Sequence, residues 1–208
     1  MNPLKLEVVS VSHYSPVWEI FIEGAWNRKV HRSIFGKNPR FPSFQTIEEW
    51  ESVFQEVEYK RVKNYLLWRL SKQNYHSDQL RKILSDRWVT AVNIERLLQE
   101  FASLGYLNDQ EWLSRQIEML KKKFSGHSLL LKLRQKGISK EILDEAQNLL
   151  ESSQDEKQIV QELLNTKYAR KDLKDFKQRK KVTDSLMRKG FSYEIIRCMI
   201  QERCEWIG

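Results

Sequence analysis

The apolar residues of this chain follow one pattern up to residue 35 and another from residue 46 to the end. In the first part, apolar and polar side chains alternate in three runs, 4–8, 17–22 and 30–35. Alternation with a period of two is typical of strands that bury one face. These runs therefore predict a small antiparallel meander of two or three strands. Residues 36–43 hold two prolines and are expected to form a linker.

The rest of the chain carries the apolar spacing and the start signals of helices. A Ser, Thr or Asn at a helix start can accept a hydrogen bond from a backbone N–H of the first turn, and a Glu three residues later can bond back. Such starts occur at Thr46 with Glu49, at Ser77, at Asn108 with Glu111 and at Ser153 with Glu156. We therefore expect only helices after residue 45, and a fold class that is mainly α.

Residues 133–143 and 186–196 repeat one pattern at an offset of 53 residues. In each copy a helix ends on basic residues, a glycine follows (Gly137 or Gly190), an apolar residue comes next, and a serine precedes another helix. A glycine in this position can take the left-handed conformation that commonly ends helices. A weaker copy has Trp88, 49 residues before Gly137, where the glycine would be. Its corner must be built differently.

These copies divide the helical part into three repeats of about 50 residues, each long enough for three helices. We expect a small β segment and linker over residues 1–45, a first repeat with a lead-in helix over 46–104, a second repeat over 105–152 and a third over 153–208. At the first boundary, Gly105 is expected to end a helix, Tyr106 and Leu107 to pack at the join, and Asn108, followed by Asp109, to begin the next helix.

Composition supports this fold class and indicates a partner. The chain has only 7 Gly and 4 Pro among 208 residues, which argues against an all-β sandwich with its many turns. Its net charge is +8, with 31% charged residues. A basic protein of this kind is expected to bind nucleic acid, or a protein that is already assembled on nucleic acid.

The chain shows no signal-peptide pattern and no apolar run long enough for a membrane span, so a cytoplasmic protein without membrane contact is expected. Its two cysteines, Cys198 and Cys204, are expected to be unpaired thiols. They cannot complete a four-ligand zinc site, and the histidines are scattered singly, so no metal and no cofactor are predicted. A monomer is expected.

Positive charge is concentrated in two stretches that occupy equivalent places in the second and third repeats. Residues 115–136 hold seven Lys or Arg and one Glu, and residues 167–189 hold ten Lys or Arg and three Asp. The candidate residues for binding a partner or nucleic acid are Arg115, Lys121, Lys122, Lys123, Lys132, Arg134, Lys136, Lys177, Arg179, Lys180, Lys181, Arg188 and Lys189. Stacked repeats could align the two stretches on one face. The alternative is that both are ordinary solvated helix faces.

Aromatic and acidic residues give weaker signals. Trp68, Phe101, Trp112 and Phe191 lie on apolar stripes and are expected in the core. Phe124, Tyr168 and Phe176 lie within or beside the basic stretches, where stacking on bases would fit, although packing in the core or at a corner is favoured. Trp206 and Ile207 either close the last repeat or form an exposed anchor. The acidic clusters at 48–51 and 56–58 are expected to be solvated helix faces.

No catalytic residues are predicted. The sequence has neither a phosphate-binding glycine loop nor a hydrolase or metalloprotease motif. Ser125 and Ser128 flank His127, but a helix cap explains these serines better than a nucleophile and its base.

Four motifs, taken in order and spacing, resemble the RecX family of bacterial recombination regulators. They are His76-Ser77 with Leu80-Arg81-Lys82, Gly105-Tyr106-Leu107-Asn108-Asp109, Leu133-Arg134-Gln135-Lys136-Gly137-Ile138, and Arg188-Lys189-Gly190-Phe191-Ser192-Tyr193-Glu194-Ile195-Ile196. The resemblance covers roughly residues 56–205. It departs from the family at Arg87-Trp88, where a basic residue followed by glycine is usual. It departs again at residues 125–128, where the family has a more basic Gly-Pro stretch.

The resemblance implies a fold and a function. The fold would be three tandem three-helix repeats in an elongated curved array, behind a short β segment. The function would be to bind the RecA recombinase, chiefly its filament on single-stranded DNA, and to damp strand exchange, ATP hydrolysis and the coprotease role of the filament. Binding to double-stranded DNA would also fit.

Two other classes of function remain open from the residues alone. Helix-corner-helix units with basic second helices also suit a DNA-binding architectural or transcription module. An enzyme, for example a nuclease, is the third class, although no motif supports it.

Overall fold

The computed structural model describes residues 3–12, 14–151 and 156–206, and these form ten helices and one three-stranded sheet. The mainly α fold class with an N-terminal antiparallel sheet is confirmed. The chain divides into two compact units, residues 1–109 and residues 110–208. The proposed boundaries of the three repeats stay a prediction.

The sheet of the first unit is a meander with the strand order β1-β2-β3, both neighbours antiparallel. Its strands are β1 (Leu6–Ser10), β2 (Val17–Ile22) and β3 (Ala25–His31). The third strand starts earlier than predicted because Glu23 and Gly24 both have positive φ and close a two-residue hairpin directly after β2. Residues 32–35 were wrongly expected to continue a strand. They form the short helix α1 (Arg32–Phe35), because the His31 ring accepts a hydrogen bond from the Ser33 N–H.

Three longer helices complete the first unit: α2 (Ile47–Leu70), α3 (Ser77–Ser85) and α4 (Ala91–Ser103). The start of α2 is confirmed, since Thr46 Oγ1 accepts from the Glu49 N–H. The Glu49 carboxylate bonds back to the Gln45 N–H, at 2.6 Å. One hydrophobic cluster joins the sheet to these helices, with Trp50, Phe54 and Leu97 at its centre.

The prediction that Ser77 caps α3 was wrong by one residue. The ring of His76 accepts from the Asp78 N–H, and Gln79 Oε1 accepts from the His76 N–H in return. Ser77 is therefore free to donate its N–H and its hydroxyl to the Asp109 carboxylate. Two of the motifs recognised in the sequence are thus in direct contact.

The segment before Asp109 is built largely as predicted. Gly105 has φ of 75°, the left-handed value that ends a helix. Leu107 is buried, and the ring of the exposed Tyr106 lies 5.5 Å from that of Phe101. The capping role of Asn108 stays a prediction, although the next helix begins directly after it.

The repeated corner is present in all three repeats. Gly137 and Gly190 have φ of 86° and 89°, and Trp88 takes the equivalent place with φ of 57°. The following residue then donates its N–H to a carbonyl five positions earlier, in the pairs Val89–Leu84, Ile138–Leu133 and Phe191–Leu186. A bulky residue rarely adopts this conformation. Trp88 nevertheless adopts it, with a half-exposed side chain whose ring stacks on that of His31.

The second unit contains six helices among its described residues. They are α5 (Asp109–Lys121), α6 (Gly126–Gln135), α7 (Lys140–Glu151), α8 (Glu156–Asn165), α9 (Phe176–Met187) and α10 (Tyr193–Trp206). One hydrophobic cluster fills the space among α5, α6 and α7, and a second fills that among α8, α9 and α10. Each set of three helices therefore has its own core.

Several expectations about single residues can now be checked. Phe101, Trp112 and Phe191 are buried as predicted, but Trp68 is 58% exposed because it lies in the last turn of α2, past its last buried residue. Glu58 was wrongly placed on a solvated face. It is fully buried, because Thr90 and Asn93 of the neighbouring segment donate hydrogen bonds to its carboxylate.

Other expectations fall at the margins of the described chain. The cap at Ser153 and the residue Ile207 lie outside the described residues, as does His13, and the Trp206 side chain is not described either.

Cys198 and Cys204 are both free thiols. Among the helices described, none is both long and apolar enough to cross a lipid bilayer.

Candidate nucleic-acid interface

Two three-helix sets of the second unit meet at a joint made by the turn before α6 and the corner before α10. The Ser125 N–H donates to the Lys189 carbonyl at 3.1 Å, and Lys189 Nζ donates to the Lys123 carbonyl at 3.1 Å. Gly190 lies directly against Ser125 and Ser128, and a Cβ at Gly190 would come within 2.9 Å of Ser128 Cβ. Residues from the two basic stretches are therefore held side by side. We call this contact the module joint.

Four lysines surround the module joint, and we refer to Lys123, Lys132, Lys167 and Lys189 as the lysine cluster. Lys132 Nζ and Lys189 Nζ each lie 4.4 Å from the centre of the Phe124 ring. Partial burial lowers the pKa of Lys189, and the nearby charges of Lys167, Lys123 and Lys132 lower it further. The ammonium group of Lys189 is thus close enough to the other three to be repelled by them.

No carboxylate among the described residues offsets this repulsion. Within residues 3–12, 14–151 and 156–206, no member of the lysine cluster forms an ion pair. Phe124 offers only the weakly negative face of its ring. A bound anion would relieve the repulsion, and a phosphate group can accept hydrogen bonds from several ammonium groups at once. The lysine cluster is therefore a candidate phosphate site.

Other cations of the first basic stretch already have partners. Arg115 pairs with Glu111, and Lys121 pairs with Glu118, in both cases along one face of α5. Lys136 Nζ lies 5.9 Å from the centre of the Trp112 ring. Arg115 and Lys121 therefore fit the alternative interpretation, in which the basic stretches are ordinary solvated helix faces. Exposed ion pairs of this kind contribute little to stability and leave little net charge.

The remaining predicted residues are exposed but do not join the lysine cluster through any described contact. They are Lys122, Arg134, Lys177, Arg179, Lys180, Lys181 and Arg188. Arg179 and Lys180 instead line a groove between α9 and α10. The basic stretches thus contain four kinds of cation: those in the lysine cluster, those paired with carboxylates, those that line the α9/α10 groove, and those that are simply exposed.

The sequence interpretation missed two contributors to the site. Lys167 lies in the second basic stretch but was not among the candidates, and Phe124 was expected mainly to pack in the core or at a corner. Phe124 is half-buried, and its ring contacts two lysines from different repeats. The contact between Gly190 and Ser125 that brings these lysines together spans 65 positions of the sequence, and no local pattern indicates it.

Nothing in the described residues supports a catalytic centre. In that part of the chain, no three His, Cys, Asp or Glu side chains are grouped so that they could hold a metal ion. Ser125 Oγ accepts from the Ser128 N–H, so it caps α6 as the sequence indicated. The structure gives this serine the role of a cap.

Comparisons with known proteins agree with the motifs. Residues 154–200 match the RecX third three-helix domain. A regulatory protein RecX of Trichlorobacter lovleyi is 25% identical over 137 residues, which cover 64% of this chain and 89% of the relative. A regulatory protein RecX of Clostridium perfringens is 24% identical over 159 residues, or 74% of each chain. A crystal structure of a regulatory protein RecX shares the fold, with a TM-score of 0.50 and 18% identity over 96% of this chain and 99% of that chain.

Proposed function

Because this chain belongs to the RecX family, we propose that it is a non-enzymatic regulator that binds the RecA recombinase and its filament on single-stranded DNA. In this proposal it restrains strand exchange, ATP hydrolysis and the coprotease role of the filament, as part of recombinational DNA repair and the SOS response in the cytoplasm. Its relatives carry the name of regulatory proteins.

The lysine cluster is the observation that supports contact with nucleic acid. Its four ammonium groups come from two repeats, the other three repel that of Lys189, and no carboxylate among the described residues pairs with them. DNA phosphates would replace the missing counter-charge and release the ions condensed on the DNA. We propose that the cluster holds the DNA strand of the filament while other surfaces hold RecA.

The test compares two double variants that remove the same charge from neighbouring helices. Lys123→Gln with Lys132→Gln removes two cluster lysines, and Arg115→Gln with Lys121→Gln removes two cations already paired with Glu111 and Glu118. The first should flatten the slope of log affinity for single-stranded DNA against log salt by about 1.4, and the second should leave it nearly unchanged. The cluster variant should also lose inhibition of RecA ATP hydrolysis on single-stranded DNA.

Three results would contradict the proposal in different ways. Equal losses in both variants would show that total charge matters and the cluster does not. Failure of the wild-type protein to capture RecA without DNA, together with strong DNA binding, would favour an architectural DNA-binding module. Nicking of DNA that survives repurification would show that the protein is an enzyme.

A further inference from the structure

The third repeat has an open groove between α9 and α10 that the proposed function does not yet use. Its inner lining includes Ile200, which is buried, and Cys204, which is half-buried. Its outer lining includes three large apolar side chains that remain exposed: Phe176 at 67%, Met187 at 49% and Tyr193 at 56%. Exposed apolar residues grouped in one groove are typical of a binding surface.

The charge around this groove is one-sided. Arg179, Lys180 and Arg197 line it, with Asp184 as the carboxylate among the lining residues. None of these three cations forms an ion pair in the part of the chain that the structure describes. An occupant that complements the groove must therefore combine apolar groups with negative charge.

Two classes of macromolecule have that combination, and the lining favours protein. Nucleobases need flat faces and polar edges, but much of the groove lining consists of aliphatic and sulfur atoms from Ile200, Met187 and Cys204. The Arg179 guanidinium also lies 5.8 Å from the centre of the Phe176 ring, so one face of that ring is already partly used. A groove between two helices, lined by Met and aromatic side chains, suits the apolar face of a third helix.

We propose that the α9/α10 groove binds an acidic amphipathic helix of the protein partner, with large apolar residues on one face and Asp or Glu beside them. This inference rests on the proposed function and divides it between two surfaces. The lysine cluster binds the DNA of the filament, and the groove binds the RecA protein itself. Arg179 and Lys180 then pair with carboxylates of RecA instead of phosphates.

The experiment places carboxylates in the groove without disturbing its helices. Phe176 and Tyr193 are the first residues of α9 and α10, where Glu is favoured by the helix dipole, so Phe176→Glu with Tyr193→Glu should fold normally. The matched control is Met119→Glu with Leu131→Glu, which adds the same charge at apolar positions that are 53% and 43% exposed in α5 and α6. Circular dichroism verifies that both variants fold.

Two affinities are then measured for each variant: for RecA without nucleic acid, and for a single-stranded oligonucleotide. We expect the groove variant to bind RecA at least 10-fold more weakly than the control, with oligonucleotide affinities that agree within twofold. Undiminished RecA binding by the groove variant would overturn the inference and leave the proposed function standing. If the wild-type protein does not bind RecA at all, the proposed function fails and the inference fails with it.

Two further outcomes would identify a different occupant and so overturn the inference. If the groove variant loses oligonucleotide affinity well beyond the control but keeps RecA affinity, the groove binds nucleic acid. If the wild-type protein sediments as a dimer and the groove variant as a monomer, a second copy of the chain fills the groove.

Discussion

The two units of this protein differ in how much of their positive charge is paired with carboxylates. In residues 1–109, several cations form ion pairs: Arg28 with Glu51, Lys63 with Glu100, Arg96 with Glu56, and Arg81 with both Asp78 and Glu95. In residues 110–208, the lysine cluster and the groove cations have no such partners among the described residues. A paired cation serves the fold, whereas an unpaired one remains available to a ligand.

The two units also differ in how closely their glycine corners are packed. Gly105 in the first unit has open space where a Cβ would stand, although its φ is positive. Gly190 in the second unit combines positive φ with close contact to Ser125 and Ser128. The second unit thus holds its module joint tightly while leaving the charges around it unpaired. This close contact keeps the chain segments that carry Lys123 and Lys189 side by side.

The largest effect expected from this contrast is on stability. Gly105→Ala should cost about 1 kcal/mol, because alanine is strained at positive φ. Gly190→Ala should cost about 2 kcal/mol or more, because the new methyl group also displaces Ser125 and Ser128 and disrupts the cap of α6. Chemical unfolding of the full-length variants measures both changes. Hydrogen exchange should place the added opening in residues 125–135.

A second-site change tests whether the crowding is the cause. Removing the Ser128 hydroxyl with Ser128→Ala should restore part of the stability lost in Gly190→Ala, since it removes one of the atoms that the methyl group meets. Equal costs for Gly105→Ala and Gly190→Ala would mean that the joint is loose and that the contrast between the units is wrong.

Local patterns in the sequence predict local structure well and distant contacts poorly. The corners at Gly137 and Gly190 could be predicted, because a helix end with a left-handed residue needs only neighbouring residues. The buried position of Glu58 could not be predicted, because its donors lie 32 and 35 residues away. The candidate site has the same limitation. Basic stretches are visible in the sequence, but which lysines are unpaired depends on contacts between repeats.

The corner at Trp88 allows a smaller test of the contrast. It is the one corner of the three that has a bulky residue in the left-handed conformation, and its ring stacks on His31 of the β segment. Trp88→Ala and Trp88→Gly both remove this stacking, but only glycine is free of the backbone strain. We expect the glycine variant to be more stable than the alanine variant by about 1 kcal/mol, measured by chemical unfolding. Equal stabilities would show that this backbone relaxes to another conformation once the ring is gone.

The smallest expected effects are slopes of stability against pH, and they should differ in sign between the units. Burial raises the pKa of Glu58 above its ordinary 4.5, although hydrogen bonds from Thr90 and Asn93 and the charge of Arg28 oppose the shift. Between 4.5 and the folded pKa, the folded state binds more protons than the unfolded state. Stability should therefore fall as pH rises through this window, by less than about 1.4 kcal/mol per pH unit. Glu58→Gln should remove this contribution.

Lys189 gives the opposite slope at alkaline pH. Its folded pKa lies below the ordinary 10.5, because of partial burial and the charges of Lys167, Lys123 and Lys132, so the unfolded state binds more protons between these two values. Stability should therefore rise with pH in this window, more weakly than for Glu58 because solvent screens the exposed part of Lys189. Lys189→Met keeps the aliphatic stem over Phe124 and removes the charge. Subtracting the unfolding free energy of this variant from that of the wild type at each pH therefore gives the contribution of Lys189 to the slope of stability against pH. A flat difference would mean that the lysine cluster is not under electrostatic strain, and that a phosphate would have no repulsion to relieve there.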